Sequence, residues 1–129
     1  MEFQDTAVEA GFRKEVRSFI TGNLPRGQRQ VGFMEAEPED GQREFVKQWR
    51  SALSKKGWIA PHWPAEYGGA GMSPVEQFIF NEEMAEARAP QVGGMGVSMI
   101  GPILILYGTD EQKQEHLPRI TAGEVQWCQ

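Results

Sequence analysis

Few residues in this chain of 129 could do chemistry, and their spacing argues against most of them acting together. Glu82 and Glu83 are adjacent, and on a helix adjacent side chains leave the axis about 100° apart, so they do not form a paired acid and base. They read as solvated or salt-bridged members of a helix face. His62 has no nucleophile near it in sequence and sits among aromatics and prolines, where a hydrogen-bonded structural histidine is the simpler reading. Cys128 is the single cysteine, which rules out an internal disulfide. With only His62 and His116 beside it, no cluster has metal-ligand spacing. The glycine-rich stretch Gly93 to Gly96 lacks both the preceding strand and the full spacing of a dinucleotide fingerprint.

Composition bounds what these residues can belong to. The chain is about one domain long and large enough to bury a core. Hydrophobic residues make up 40% and charged residues 24%, an ordinary globular balance. A net charge of -5 without a basic run makes nucleic acid an unsuitable partner. The amino terminus MEFQDTAVEAGF has neither the basic start nor the apolar run of a secretory signal, and IGPILILY is too short to cross a bilayer. A cytoplasmic setting is the expectation.

The positions above need helices to hold them. Val8, Phe12, Val16, Phe19 and Ile20 recur at intervals of three and four, predicting a helix from Asp5 to about Asn23. A long exposed connection follows, broken by Pro25, Gly27, Gly32, Pro38 and Gly41. Phe45, Trp49 and Leu53 then predict a helix from about Gln42 to Lys56, stopped by Gly57. Ser73-Pro74-Val75-Glu76 is a capping box with proline at the first helical position. It opens a third helix whose buried side is expected to include Val75, Phe78, Ile79 and Met84. VSMIGPILILYG is apolar nearly all round and predicts one or two short buried helices divided at Gly101-Pro102. Thr109 to Gln112 is a second capping box, opening a helix cut short by Pro118. Glu124 to Gln129 reads as the start of a strand. The expected core includes Trp49, Leu53, Trp58, Phe78 and Leu104. The fold class is all-α, an orthogonal bundle of about five to six helices with a long aromatic, proline and glycine loop.

That loop, GWIAPHWPAEYGGAGMSP, places Trp58 and Trp63 where regular structure is least able to form. Pro61 and Pro64 restrict the backbone and lower the entropy cost of an extended path, while each indole can bury a large apolar area. Either the loop simply fills the core, or it is shaped to border a ligand or a neighbouring domain.

The motifs occur in a telling order. W-x-x-x-L-x-x-x-G-W spans Trp49 to Trp58, P-x-W-P-x-x-Y-G-G-A-G spans Pro61 to Gly71, N-E-E-M-A spans Asn81 to Ala85, and Y-G-T-D-E-Q-K-x-x-x-L-P-R-I-x-x-G-E spans Tyr107 to Glu124. Together they resemble the amino-terminal domain of the acyl-CoA dehydrogenase family, over practically the whole chain from Phe12 to Gln129. The tryptophan loop and the ending WCQ are most similar to bacterial members, including those acting on bulky or sterol-side-chain thioesters.

The resemblance implies an oxidoreductase of fatty acid β-oxidation and lipid metabolism. Such enzymes convert an acyl-CoA to a trans-2-enoyl-CoA, with a carboxylate base taking the α proton and FAD accepting a hydride. It also implies a helical domain over residues 1–125, with 126–129 as the first residues of a middle β domain. The β domain, a carboxy-terminal helical domain and the base are then expected beyond this chain, with FAD held by the parent enzyme and neither flavin nor activity in the chain alone. A homo- or hetero-oligomer is expected. By the same resemblance Met95, Ser98 and Met99 line the acyl cavity, against the alternative of plain core packing, and Gln129 meets the flavin. Two other readings stay open: a subunit whose active site other chains complete, and a helical interaction module unconnected with acyl-CoA. VSMIGPILILY has too few polar residues for a solvated face and is expected to expose an apolar surface meant for the absent domains.

Overall fold

The computed structural model describes residues 4–24 and 43–128. The long connection expected between the first two helices, and Gln129, lie outside the described residues. Within them the chain is all helical, with no strand. Helix α1 spans Ala7–Asn23, α2 Arg43–Lys56, α3 Pro74–Glu86, α4 Gly101–Tyr107 and α5 Asp110–Thr121. A 3-10 turn occupies Ala65–Tyr67, and a π turn spans Gly96–Ile100. The strand expected from Glu124 is absent, and residues 124–128 run without regular structure. A strand needs a neighbour to take its backbone bonds, and no described segment offers one.

Helix starts follow local chemistry. Thr6, Ser73 and Thr109 each accept from the amide three residues on, while Glu9, Glu76 and Gln112 reach back to the cap amide, so all three helices open on a complete capping box. The first of these is legible as T-x-x-E at Thr6 to Glu9, and sets the helix start two residues after the expected Asp5. Helix α2 stops as expected. Gly57 takes φ +72°, its amide bonds the Ser54 carbonyl and the Trp58 amide bonds that of Leu53, a Schellman closure that a left-handed residue permits. Pro118 does not end α5. A proline costs one backbone donor, and the buried Leu117 and Ile120 on either side keep the last turn in place.

The described residues form two compact units. One contains α1 packed on α3. Of the apolar row expected on α1, Val16 and Ile20 are buried, Phe12 and Phe19 are half-buried, and Val8 is exposed. On α3 the buried residues are Ile79, Phe80 and Glu83, whereas Phe78, expected in the core, is 65% exposed. Apolar and polar residues are spread around the whole helix, so its sequence does not say which face turns inward. A charge occupies the inward position four residues after Ile79. Glu83 is buried with Arg13 Nη1 at 2.8 Å and Arg17 Nε at 2.7 Å, and Arg13 also bonds Glu82 at 3.0 Å and grips Asp5 through Nε and Nη2. The pair of glutamates is therefore salt-bridged, one of the roles expected of it.

The other unit contains α2, the tryptophan loop, the π turn, α4 and α5. Trp49, Leu53, Trp58, Ile59, Trp63, Val97, Leu117 and Ile120 are all buried, while Leu104 is only half-buried because α4 turns much of its surface outward.

Burial pushes the Glu83 carboxyl up, but the hydrogen bonds from Arg17 and Arg13 outweigh it and hold the group below the ordinary value of 4.5. A depressed folded pKa contributes stability that is complete above the unfolded value and is lost as pH falls through the folded one. Glu83→Gln should therefore lower stability at neutral pH by about 1–3 kcal/mol and flatten the loss of stability below pH 4.5, as followed by urea denaturation across an acid pH series.

Candidate functional site

The helix that carries Met95, Ser98 and Met99 begins at Gly94 and runs unbroken to Tyr107. The break expected at Gly101-Pro102 does not occur. A π turn absorbs the proline instead: the Gly101 amide reaches back five residues to the Gly96 carbonyl, and Pro102 has no amide to give. The Val97 carbonyl accepts from Trp63 Nε1 at 3.1 Å, inside the core. The indole can come this close because residue 101 is glycine, since any β-carbon there would overlap the Trp63 ring. On the other side Trp127 lies against Gly96, with Ile120 beside it. The question posed by the tryptophan loop thus has a structural answer, in which Trp63 fills the core and supplies a donor to a helix that lacks one.

The helix then presents an apolar stripe outward. Met95 is 38% and Met99 48% exposed, and Ile103, Leu106 and Tyr107 continue the exposed surface along α4. Ser98 is also exposed, and its hydroxyl donates to the Gly94 carbonyl at 3.0 Å. These are too many apolar side chains for a face meant for water, as the composition of VSMIGPILILY led one to expect. The three residues named from sequence therefore share one exposed segment rather than a packed core. A cavity of about 310 Å³ lies elsewhere, lined by Tyr67, Lys113, Leu117, Pro118 and Thr121, and includes none of the three.

Other candidates separate from this face. Glu83 is held as a carboxylate by two arginines and makes a poor base. His62 is exposed between the buried Pro61 and Trp63, so it is not the packed, hydrogen-bonded histidine expected. Residues 60–63 form a turn closed by the Trp63 amide on the Ala60 carbonyl at 3.0 Å, and His62 stands on its outer side. Cys128 is exposed too. Among the described residues no group of histidines, cysteines and carboxylates could hold a metal ion, and no helix is long and apolar enough to cross a membrane.

A profile of the acyl-CoA dehydrogenase N-terminal domain matches residues 6–124. The chain belongs to that family. It is similar to the acyl-CoA dehydrogenase FadE26 of Mycobacterium tuberculosis, with 35% identity over 97% of this chain and 31% of that protein. Among solved structures it resembles the ChsE4-ChsE5 complex of Mycobacterium tuberculosis, at TM-score 0.75 and 33% identity over 98% of this chain and 30% of that one. It also resembles the Tcur3481-Tcur3483 steroid acyl-CoA dehydrogenase, at TM-score 0.74 and 36% identity over 97% and 31%. The chain thus spans about a third of the length of these acyl-CoA dehydrogenases.

FAD is the cofactor that family membership implies for the parent enzyme. The described residues offer one orphaned buried donor near the carboxy end, Trp127 Nε1, whose ring stands edge-on to His116 with centroids 5.5 Å apart. No described set of polar groups converges on it, and a flavin needs several. These residues by themselves do not fit the cofactor.

The contact between Trp63 and Gly101 yields a direct test. Gly101→Ala should destabilise this acyl-CoA dehydrogenase domain by about 1–3 kcal/mol, because the added methyl drives the indole off the helix. Chemical denaturation against the parent sequence measures it.

Proposed function

We propose that the chain is the amino-terminal helical part of a FAD-dependent acyl-CoA dehydrogenase, and that Met95, Ser98 and Met99 form part of the wall against which the acyl chain lies. One observation carries this reading. A segment within the family match presents two methionines and a serine on an outward face of a helix that is otherwise pinned to its core. Methionine is flexible and polarizable, and suits a wall that meets an irregular apolar ligand. The Ser98 hydroxyl has one proton and gives it to the Gly94 carbonyl. Its role is then to shape the wall, not to orient the thioester. When bound, FAD would supply hydride acceptance, and it would be held, like the base, by parts of the enzyme beyond residues 1–129. We place residues 1–125 in the helical domain and 126–129 at the start of the next, with Gln129 towards the flavin.

The likeness to a steroid acyl-CoA dehydrogenase supports a bulky, polycyclic acyl group as substrate. The likeness to the ChsE4-ChsE5 complex supports a second form of the same reading, in which another chain completes the active site. The exposed stripe on α4 fits contact with such a chain or with the enzyme's other domains.

The 129-residue chain should purify colourless and leave an electron-accepting dye unreduced with any acyl-CoA. In the complete enzyme, Met99→Trp should shift preference away from bulky acyl groups while flavin content stays constant, because occupied cavity volume penalises larger substrates first. Turnover with bound FAD in the chain alone would contradict the division of labour. An unchanged substrate profile would remove Met99 from the wall.

A further inference from the structure

The π turn ahead of α4 has a cause on the page. In an α-helix the Gly101 amide would bond the Val97 carbonyl; here it bonds Gly96 instead, and the Val97 carbonyl is met by the Trp63 indole. Closing the turn to α geometry would bring the Gly101 amide to that same carbonyl, against the ring that lies on Gly101. Trp63 is 2% exposed, so an evicted indole N–H would find no water. The turn and the indole bond support each other.

A π turn holds one residue more than an α turn. Losing that residue from the turn would rotate everything before it by about 100° relative to everything after it. Met95 precedes the turn, Ser98 and Met99 lie within it, and the exposed Ile103, Leu106 and Tyr107 follow it. The directions in which these exposed side chains leave the helix relative to one another thus depend on the extra residue.

We propose that Trp63 is a positioning residue for acyl selection: its indole N–H holds the Val97 carbonyl and so the π turn, and the turn sets the direction in which Met95, Ser98 and Met99 leave the helix. This rests on the reading that those three residues face the acyl chain. Trp63 itself touches no substrate.

The test uses the complete enzyme with Trp63→Phe, which keeps an aromatic ring and removes the donor. The ratio of kcat/KM for a polycyclic against a straight-chain acyl-CoA should change about tenfold, carried by KM, with kcat for the straight-chain substrate and flavin content held. Backbone hydrogen exchange over residues 94–101 should rise with it. Pro102→Ala guards against a misfolded Trp63→Phe. It returns a backbone donor that competes with the indole for the Val97 carbonyl, adds no volume, and should move the ratio in the same direction by a smaller factor. Met99→Trp serves as the reference. If Met99→Trp moves the ratio and neither other variant does, positioning by Trp63 is overturned while the cavity wall stands. If Met99→Trp does not move it, the cavity reading fails and this proposal with it.

Discussion

A hydrogen bond from an indole to a single backbone carbonyl organises the unit that carries the candidate acyl wall. Trp63 Nε1 meets the Val97 carbonyl at 3.1 Å, and three sequence features make that bond possible. Pro102 brings no amide to the helix, Gly101 brings no β-carbon to the ring, and Pro61 and Pro64 restrict the path of the loop that delivers the indole. Each is an awkward residue on its own terms. Together they place a large aromatic in the core with its polar atom satisfied and leave the opposite side of the helix free for methionines.

The unit built from α1 and α3 is held by a different device. Its inward face carries Glu83, and a buried carboxylate is tolerable there because α1 supplies two guanidinium groups to it. Arg13 is also tied to Asp5 and Glu82, so several charges share the cluster. The same arrangement disqualifies Glu83 from acid-base work. A carboxylate stabilised in its charged form has little tendency to take a proton at neutral pH.

Much of this was legible in the sequence. Two capping boxes, the glycine stop after α2 and the four-residue spacing of Trp49 and Leu53 report local chemistry, and local chemistry survives folding. What could not be read depended on distant partners. Phe78 and Glu83 exchanged their expected places because a helix with apolar and acidic residues on every side gives no clear phase, and the arginines that draw Glu83 inward lie some seventy residues away. Pro102 and Pro118 look like helix ends in isolation; a distant indole in one case and buried neighbours in the other keep their helices running. The candidate wall was named only through family resemblance. Nothing in the spacing of Met95, Ser98 and Met99 distinguishes a wall from a core, and their exposure is a product of the turn that Trp63 holds.

The account is tested most directly by proton exchange at the Trp63 indole, read by nitrogen-15 NMR of the assigned side chain. The account predicts an Nε1–H that exchanges as slowly as the protected amides of residues 94–107. Rapid exchange at that nitrogen, with the helix amides still protected, would contradict it.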